Sequence, residues 1–168
     1  MINQSPDYDG IQAAPSSVDG EADSHLNILI LDDSYADFDA LRRALNRVDV
    51  FSASVKRAKT IEEARLACSE GHVDVAFIDY DLGLESGVRF LQEIGGRDSD
   101  IIPILVTGLK EAVVQNNALK AGAVGLIDKA DISPTLLAST IRAARYTQHV
   151  EKKLQNVITQ MTRVGVPT

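Results

Sequence analysis

A single cysteine, Cys68, is all the thiol this chain has. That excludes an internal disulfide framework and fits a reducing cytoplasm. Cys68 shares helical spacing with Ile61 and Ala64, which marks it as a buried structural thiol. No apolar run approaches the roughly 18 residues that span a bilayer. Residues 1–20 lack the basic start and apolar centre of a secretory signal. Residues 1–25 contain no lysine or arginine, so Asp7, Asp9, Asp19, Glu21 and Asp23 stand unopposed there. The segment is rich in Ser, Pro, Gly and Asp and buries too little apolar surface to order itself; residues 1–25 are expected to form a disordered acidic leader. A concentrated basic patch is also missing, which argues against nucleic acid as a partner. His25, His72 and His149 lie too far apart in sequence to suggest a metal or general-base cluster.

The chain as a whole has the makeup of a soluble globular protein, 45% hydrophobic and 24% charged. With 168 residues, the chain is long enough for one domain with a real core. Apolar runs at 27–31, 51–55, 74–78, 102–106 and 123–127 predict strands. Between them, stripes at helical spacing predict helices: Phe38, Leu41, Leu45 and Val48; Ile61, Ala64 and Ala67/Cys68; Val88, Leu91 and Ile94; Val113/Val114, Ala118 and Ala121; Leu137, Ile141 and Ala144. Five strand–helix units in succession imply an α/β fold, a doubly wound five-stranded parallel sheet with helices on both faces. Thr60 with Glu63 predicts a capping box, Gly71, Gly95-Gly96 and Gly122 predict helix ends, and Ser133-Pro134 predicts a helix start.

Polar residues follow four of the runs directly: Asp32-Asp33, Asp79, Thr107 and Lys129. The carboxyl ends of neighbouring parallel strands converge on one edge, where ligands bind. Two unit charges about 5 Å apart repel by roughly 3 kcal/mol at an effective dielectric near 20, so three carboxylates gathered there call for a cation. Mg²⁺ prefers oxygen ligands and commonly joins one or two carboxylates to a phosphate oxygen. One carboxylate is then free to attack phosphorus, with the Lys129 ammonium and the Thr107 hydroxyl meeting the developing charge. Asp79 is assigned as the nucleophile, Asp32 and Asp33 as metal carboxylates, and the backbone carbonyl of Asp81 as a further metal ligand.

In this order and spacing, Leu31-Asp32-Asp33-Ser34, Phe77-Ile78-Asp79-Tyr80-Asp81-Leu82-Gly83 with Gly87, Val106-Thr107-Gly108 and Asp128-Lys129 resemble the receiver domain of two-component response regulators. The resemblance covers residues 26–146. It implies a flavodoxin-like sheet of order 2-1-3-4-5 and phosphorylation of Asp79 by a histidine kinase or phosphotransfer protein, with Mg²⁺ as cofactor. It also implies a phosphoacceptor that is no enzyme beyond its own phosphorylation and dephosphorylation. Two positions depart from the family pattern. Leu126 stands where an aromatic residue is usual, and Ala130 where proline usually follows the lysine. Switching is therefore expected to rest on Thr107 and Lys129 and not on an aromatic rotamer. The alternatives are a haloacid-dehalogenase-like phosphohydrolase, whose Asp-x-Asp start Asp79-Tyr80-Asp81 also fits, and a docking receiver that works without phosphorylation.

After Tyr146 only residues 147–168 remain, too few for an ordinary output domain, so the chain reads as a stand-alone receiver or one cut from a longer protein. Ala143, Thr147, Val150, Leu154, Val157, Met161 and Val164 follow a 4-3 spacing, the seam of a coiled coil. A C-terminal helical extension and a weak homodimer through it are expected, with Gly165 and Pro167 ending the helix.

Overall fold

The computed structural model describes residues 25–164. Of the acidic leader expected over residues 1–25, residues 1–24 lie outside the described residues, as does the helix stop at Gly165 and Pro167, and His25 belongs to the first strand instead. Strand β1 (His25–Leu31) leads into α1 (Tyr35–Leu45), β2 (Ser52–Ala58), α2 (Ile61–Glu70) and β3 (Val75–Asp79). A two-residue ladder, β4 (Asp81–Leu82) with β5 (Glu85–Ser86), precedes α3 (Gly87–Glu93); then come β6 (Ile102–Thr107), α4 (Ala112–Lys120), β7 (Gly125–Asp128) and α5 (Pro134–Val164). The main sheet has the order β2-β1-β3-β6-β7, and all its pairings are parallel. This is the expected 2-1-3-4-5 order of a flavodoxin-like receiver fold.

Side chains alternate across a strand, and the sheet divides its apolar residues accordingly. Ile28 and Ile30 of β1, Phe77 of β3 and Ile104 of β6 pack under α1 and α5, against Phe38, Leu41, Leu137 and Ile141. Leu29, Leu31, Ile78 and Leu105 face the opposite way, onto Ile61 and Ala64 of α2, Phe90 and Leu91 of α3, and Ala118 of α4. Both faces are covered, so β3 and β6 are buried at every position.

Local signals place the helix ends. Ser34 caps α1 by accepting from Asp37 N, and Thr60 accepts from Glu63 N. The returning bond of the Thr60 capping box is displaced by one residue: the Glu63 carboxylate accepts from Lys59 N at 2.8 Å. The stripe of α1 is shorter than predicted, because the helix ends at Leu45 and Val48 lies beyond it. Gly122, at φ 95°, supplies the left-handed residue just after α4. Ser133 accepts from Leu136 N and from Leu137 N at the start of α5. That helix runs without interruption through Tyr146. Its last buried side chain is Gln148, whose Nε2 donates to Ser99 O at 2.7 Å, and Lys152 reaches Asp100 at 2.7 Å. Beyond this point Leu154, Val157, Ile158 and Met161 are exposed.

Candidate phosphoacceptor site

Sheet register gathers the predicted residues. Leu31 lies opposite Ile78, which brings Asp32 beside Asp79. Asp79 is paired with Val106, one residue before Thr107, and Thr107 is paired with Asp128, one before Lys129. β1 and β3 are the neighbours between which the chain switches direction across the sheet, the place where such folds bind ligands. Asp32, Asp79 and Thr107 are all buried, at 4%, 6% and 4% exposure. Asp33 is exposed, and its carboxylate accepts no hydrogen bond among the described residues.

Carboxylate oxygens of Asp32, Asp33 and Asp79 all lie within 4.8 Å of one another. Three hard oxygen donors at that spacing, two of them buried, fit a divalent cation. The Lys129 ammonium sits against the same cluster, 3.0 Å from Asp79 Oδ2 and 3.0 Å from Asp32 Oδ2. Asp32 Oδ1 also accepts from Ser34 N at 2.8 Å, and Asp79 Oδ1 from Asp81 N at 3.4 Å.

Burial is the main force raising both carboxyl groups. Asp32 lies above its ordinary value, because burial outweighs the bonds from Lys129 and Ser34. Asp79 is pushed up to about 6 by burial, and the charge of Asp32 adds to it against the pull of Lys129. Burial works against the Lys129 ammonium, but Asp37, Asp79 and Asp32 together raise it well above the usual lysine range. Lys129 therefore stays charged, and the pocket keeps an excess of negative charge.

Sequence reasoning missed three of the supporting residues. Asp37, in the first turn of α1, is the nearest carboxylate to Lys129, at 2.7 Å. Arg57 on β2 donates to Asp32 O at 3.3 Å and Asp33 O at 3.0 Å, and its guanidinium lies over the rings of Tyr35 and Phe38 at 5.3 and 5.2 Å. This clamp fixes the backbone of the acidic pair and leaves Arg57 Nε buried without a partner. Lys110 forms an ion pair with Asp128, 3.4 Å away, beside Lys129. Only the position of Asp37, four residues after Asp33 and so one helical turn from the pocket, was a usable signal.

Gly87, quoted in the sequence motif for its spacing alone, has a steric reason. A Cβ there would lie 1.9 Å from Asp79 O and 2.7 Å from Ile78 Cγ2. The start of α3 thus abuts the backbone of β3 at Asp79. Asp81 opens the β4–β5 ladder opposite Ser86, and its side chain accepts from Gly83 N at 3.1 Å. Thr107 Oγ1 accepts from Leu109 N at 3.0 Å, and no hydrogen bond joins it to Asp79 or Lys129 among the described residues. Leu126 packs half-buried against the α2–α3–α4 side of the core. Ala130 N donates to Asp128 Oδ1 at 2.8 Å, a bond that proline could not make.

The comparisons agree with this geometry. Residues 28–142 match the family model of the response regulator receiver domain. The acid tolerance regulatory protein ActR of Sinorhizobium medicae is 28% identical over 136 residues, 78% of this chain and 69% of that protein. A CheY-like receiver domain protein from Methanospirillum hungatei superposes with a TM-score of 0.62 at 25% identity, covering 76% of this chain and 99% of that one. A response regulator from Burkholderia pseudomallei, solved with a phosphorylated aspartic acid, a calcium ion and citrate, has a TM-score of 0.61 at 25% identity over 78% of this chain and 75% of that one.

Proposed function

The chain belongs to the response regulator receiver family, and from that premise we propose that Asp79 accepts a phosphoryl group from a histidine kinase or phosphotransfer protein. Membership makes it a signalling phosphoacceptor and not an enzyme that turns over a substrate, which sets aside the haloacid-dehalogenase-like reading of Asp79-Tyr80-Asp81. The observation that carries the proposal is the Lys129 ammonium at 3.0 Å from both Asp32 and Asp79, with Asp33 in the same carboxylate cluster.

A carboxylate oxygen of Asp79 attacks phosphorus in line. The new P–O bond forms as the P–N bond to the donor imidazole breaks, and the electron pair stays on that nitrogen. Lys129 meets the negative charge that the phosphoryl oxygens carry into the pocket, and the Thr107 hydroxyl turns toward them. Asp32, Asp33 and Asp79, with the Asp81 carbonyl, would hold Mg²⁺. When bound, the ion neutralises the carboxylates and draws charge from the phosphoryl oxygens. Thr107 and Lys129 pass the change to α4 and β7 without an aromatic switch at Leu126.

The protein acts in the cytoplasm through protein contacts, which include a second copy of itself through α5. The complete set of Asp32, Asp33, Asp79, Thr107 and Lys129 favours this reading over a docking receiver that is never phosphorylated. Incubation with acetyl phosphate and Mg²⁺, followed by intact mass, tests it. One phosphoryl group should appear on the wild type and none on Asp79→Asn, and excess EDTA should abolish labelling. Equal labelling of Asp79→Asn would refute the assignment.

A further inference from the structure

An ammonium has three N–H donors, and in Lys129 three carboxylates face them: Asp37 Oδ2 at 2.7 Å, Asp32 Oδ2 at 3.0 Å and Asp79 Oδ2 at 3.0 Å. Phosphorylation of Asp79 draws on two of the three. Asp32 is shared with a cation, and Asp79 loses its charge when one of its oxygens becomes bonded to phosphorus. Asp37 takes no part in either event. It is 92 residues from Lys129 in sequence and belongs to a different element, α1. Its backbone is fixed by the cap bond from Asp37 N to Ser34 Oγ, so it is a stationary point on the far wall of the pocket.

We propose that Asp37 is a positioning residue that holds the Lys129 ammonium in the pocket while Asp32 and Asp79 are engaged, leaving the two released donors for the phosphoryl oxygens. This rests on Asp79 being the acceptor. The lysine stem is flexible, with four carbons, and of its three carboxylate partners Asp37 is the one that neither serves the cation nor takes the phosphoryl group. The side chain of Asp37 is 43% exposed, so the grip is a modest, charge-assisted one.

The sign of the effect separates this role from a plain charge effect. Neutralising an acidic residue beside an anion site should tighten anion binding by Coulomb's law. Loss of a positioning contact should weaken it instead. The full chain at saturating Mg²⁺ is titrated with beryllofluoride, an anionic mimic of the phosphoryl group, and followed by amide chemical shifts. Asp37→Asn should raise the dissociation constant by about fivefold, in keeping with a partly exposed charge-assisted contact. In a Lys129→Met background the same substitution should cause no weakening and leave only the Coulomb tightening, because the contact it removes is already gone. Unchanged or tighter binding in Asp37→Asn, or an equal loss in both backgrounds, overturns the role. Acetyl phosphate labelling of the same wild-type preparation distinguishes the two failures. An unlabelled Asp79 refutes the phosphoacceptor reading and this role with it, whereas a labelled Asp79 with an unaffected Asp37→Asn refutes this role alone.

Discussion

Asp79 shows how a buried carboxylate is held at a cost in stability. Its carboxyl is raised from an ordinary value of 3.8 to about 6, chiefly by burial and further by the charge of Asp32. A folded-state value above the unfolded one means that the native protein keeps a proton which the unfolded chain releases between about pH 4 and pH 6. Stability is therefore lost as pH rises across that window, and the loss is complete above pH 6. The gap corresponds to at most about 3 kcal/mol, a net figure in which the opposing pull of Lys129 is already included. In the presence of EDTA, Asp79→Asn should therefore be more stable than the wild type by about 1–2 kcal/mol at pH 7.5, with the advantage vanishing near pH 4. Urea unfolding at the two pH values measures this. An advantage of the same size at pH 4 would show that the gain does not come from ionisation.

Elements meet at this site with little room between them. Gly87 starts α3 against the carbonyl of Asp79, and its φ is not in the left-handed region, so alanine there would meet no backbone strain. The whole penalty is steric: a methyl group 1.9 Å from Asp79 O must push α3 away from β3. Gly87→Ala should lower stability by about 2–3 kcal/mol and displace the Asp79 amide resonance, whereas Gly71→Ala, with open space around its Cβ, should do neither. Equal effects of the two substitutions in denaturant titrations would contradict the close approach. Arg57 works at the same scale, tying β2 to the β1–α1 connection through two carbonyls and two rings.

At the scale of the whole molecule, α5 carries one buried and one exposed apolar stripe. Leu137, Ile141, Ala144 and Gln148 are buried against the domain, while Val150, Leu154, Val157 and Met161 lie on a different side of the helix and are exposed. An isolated helix of about five turns is only marginally stable in water, and the 4-3 spacing of the exposed stripe suits an identical partner. With few strong apolar contacts, the association should be weak, in the tens of micromolar. Sedimentation of the full chain should show a concentration-dependent dimer, and Leu154→Asp with Val157→Asp should return it to monomer. A full chain that stays monomeric throughout that range, with and without beryllofluoride, would rule the dimer out. Among the described residues no helix is long and apolar enough to cross a membrane.

The sequence by itself determined the order of the five strand–helix units, the caps at Ser133 and Thr60, and the four strand ends that carry Asp32-Asp33, Asp79, Thr107 and Lys129. These signals are local: apolar periodicity and cap chemistry act within a few residues, and a parallel sheet then brings strand ends to one edge. Tertiary structure alone decided which carboxylates reach Lys129, why position 87 must be glycine, and that Arg57 clamps the acidic pair through its carbonyls. Asp37 and Lys129 are joined only once α1 has its rotation and β7 its register, and no periodicity in either segment encodes the other. The departure at Ala130 shows the same division. The sequence showed a missing proline, and only the folded chain showed the amide in use, bonded to Asp128, because a hydrogen bond depends on where its partner finally lies.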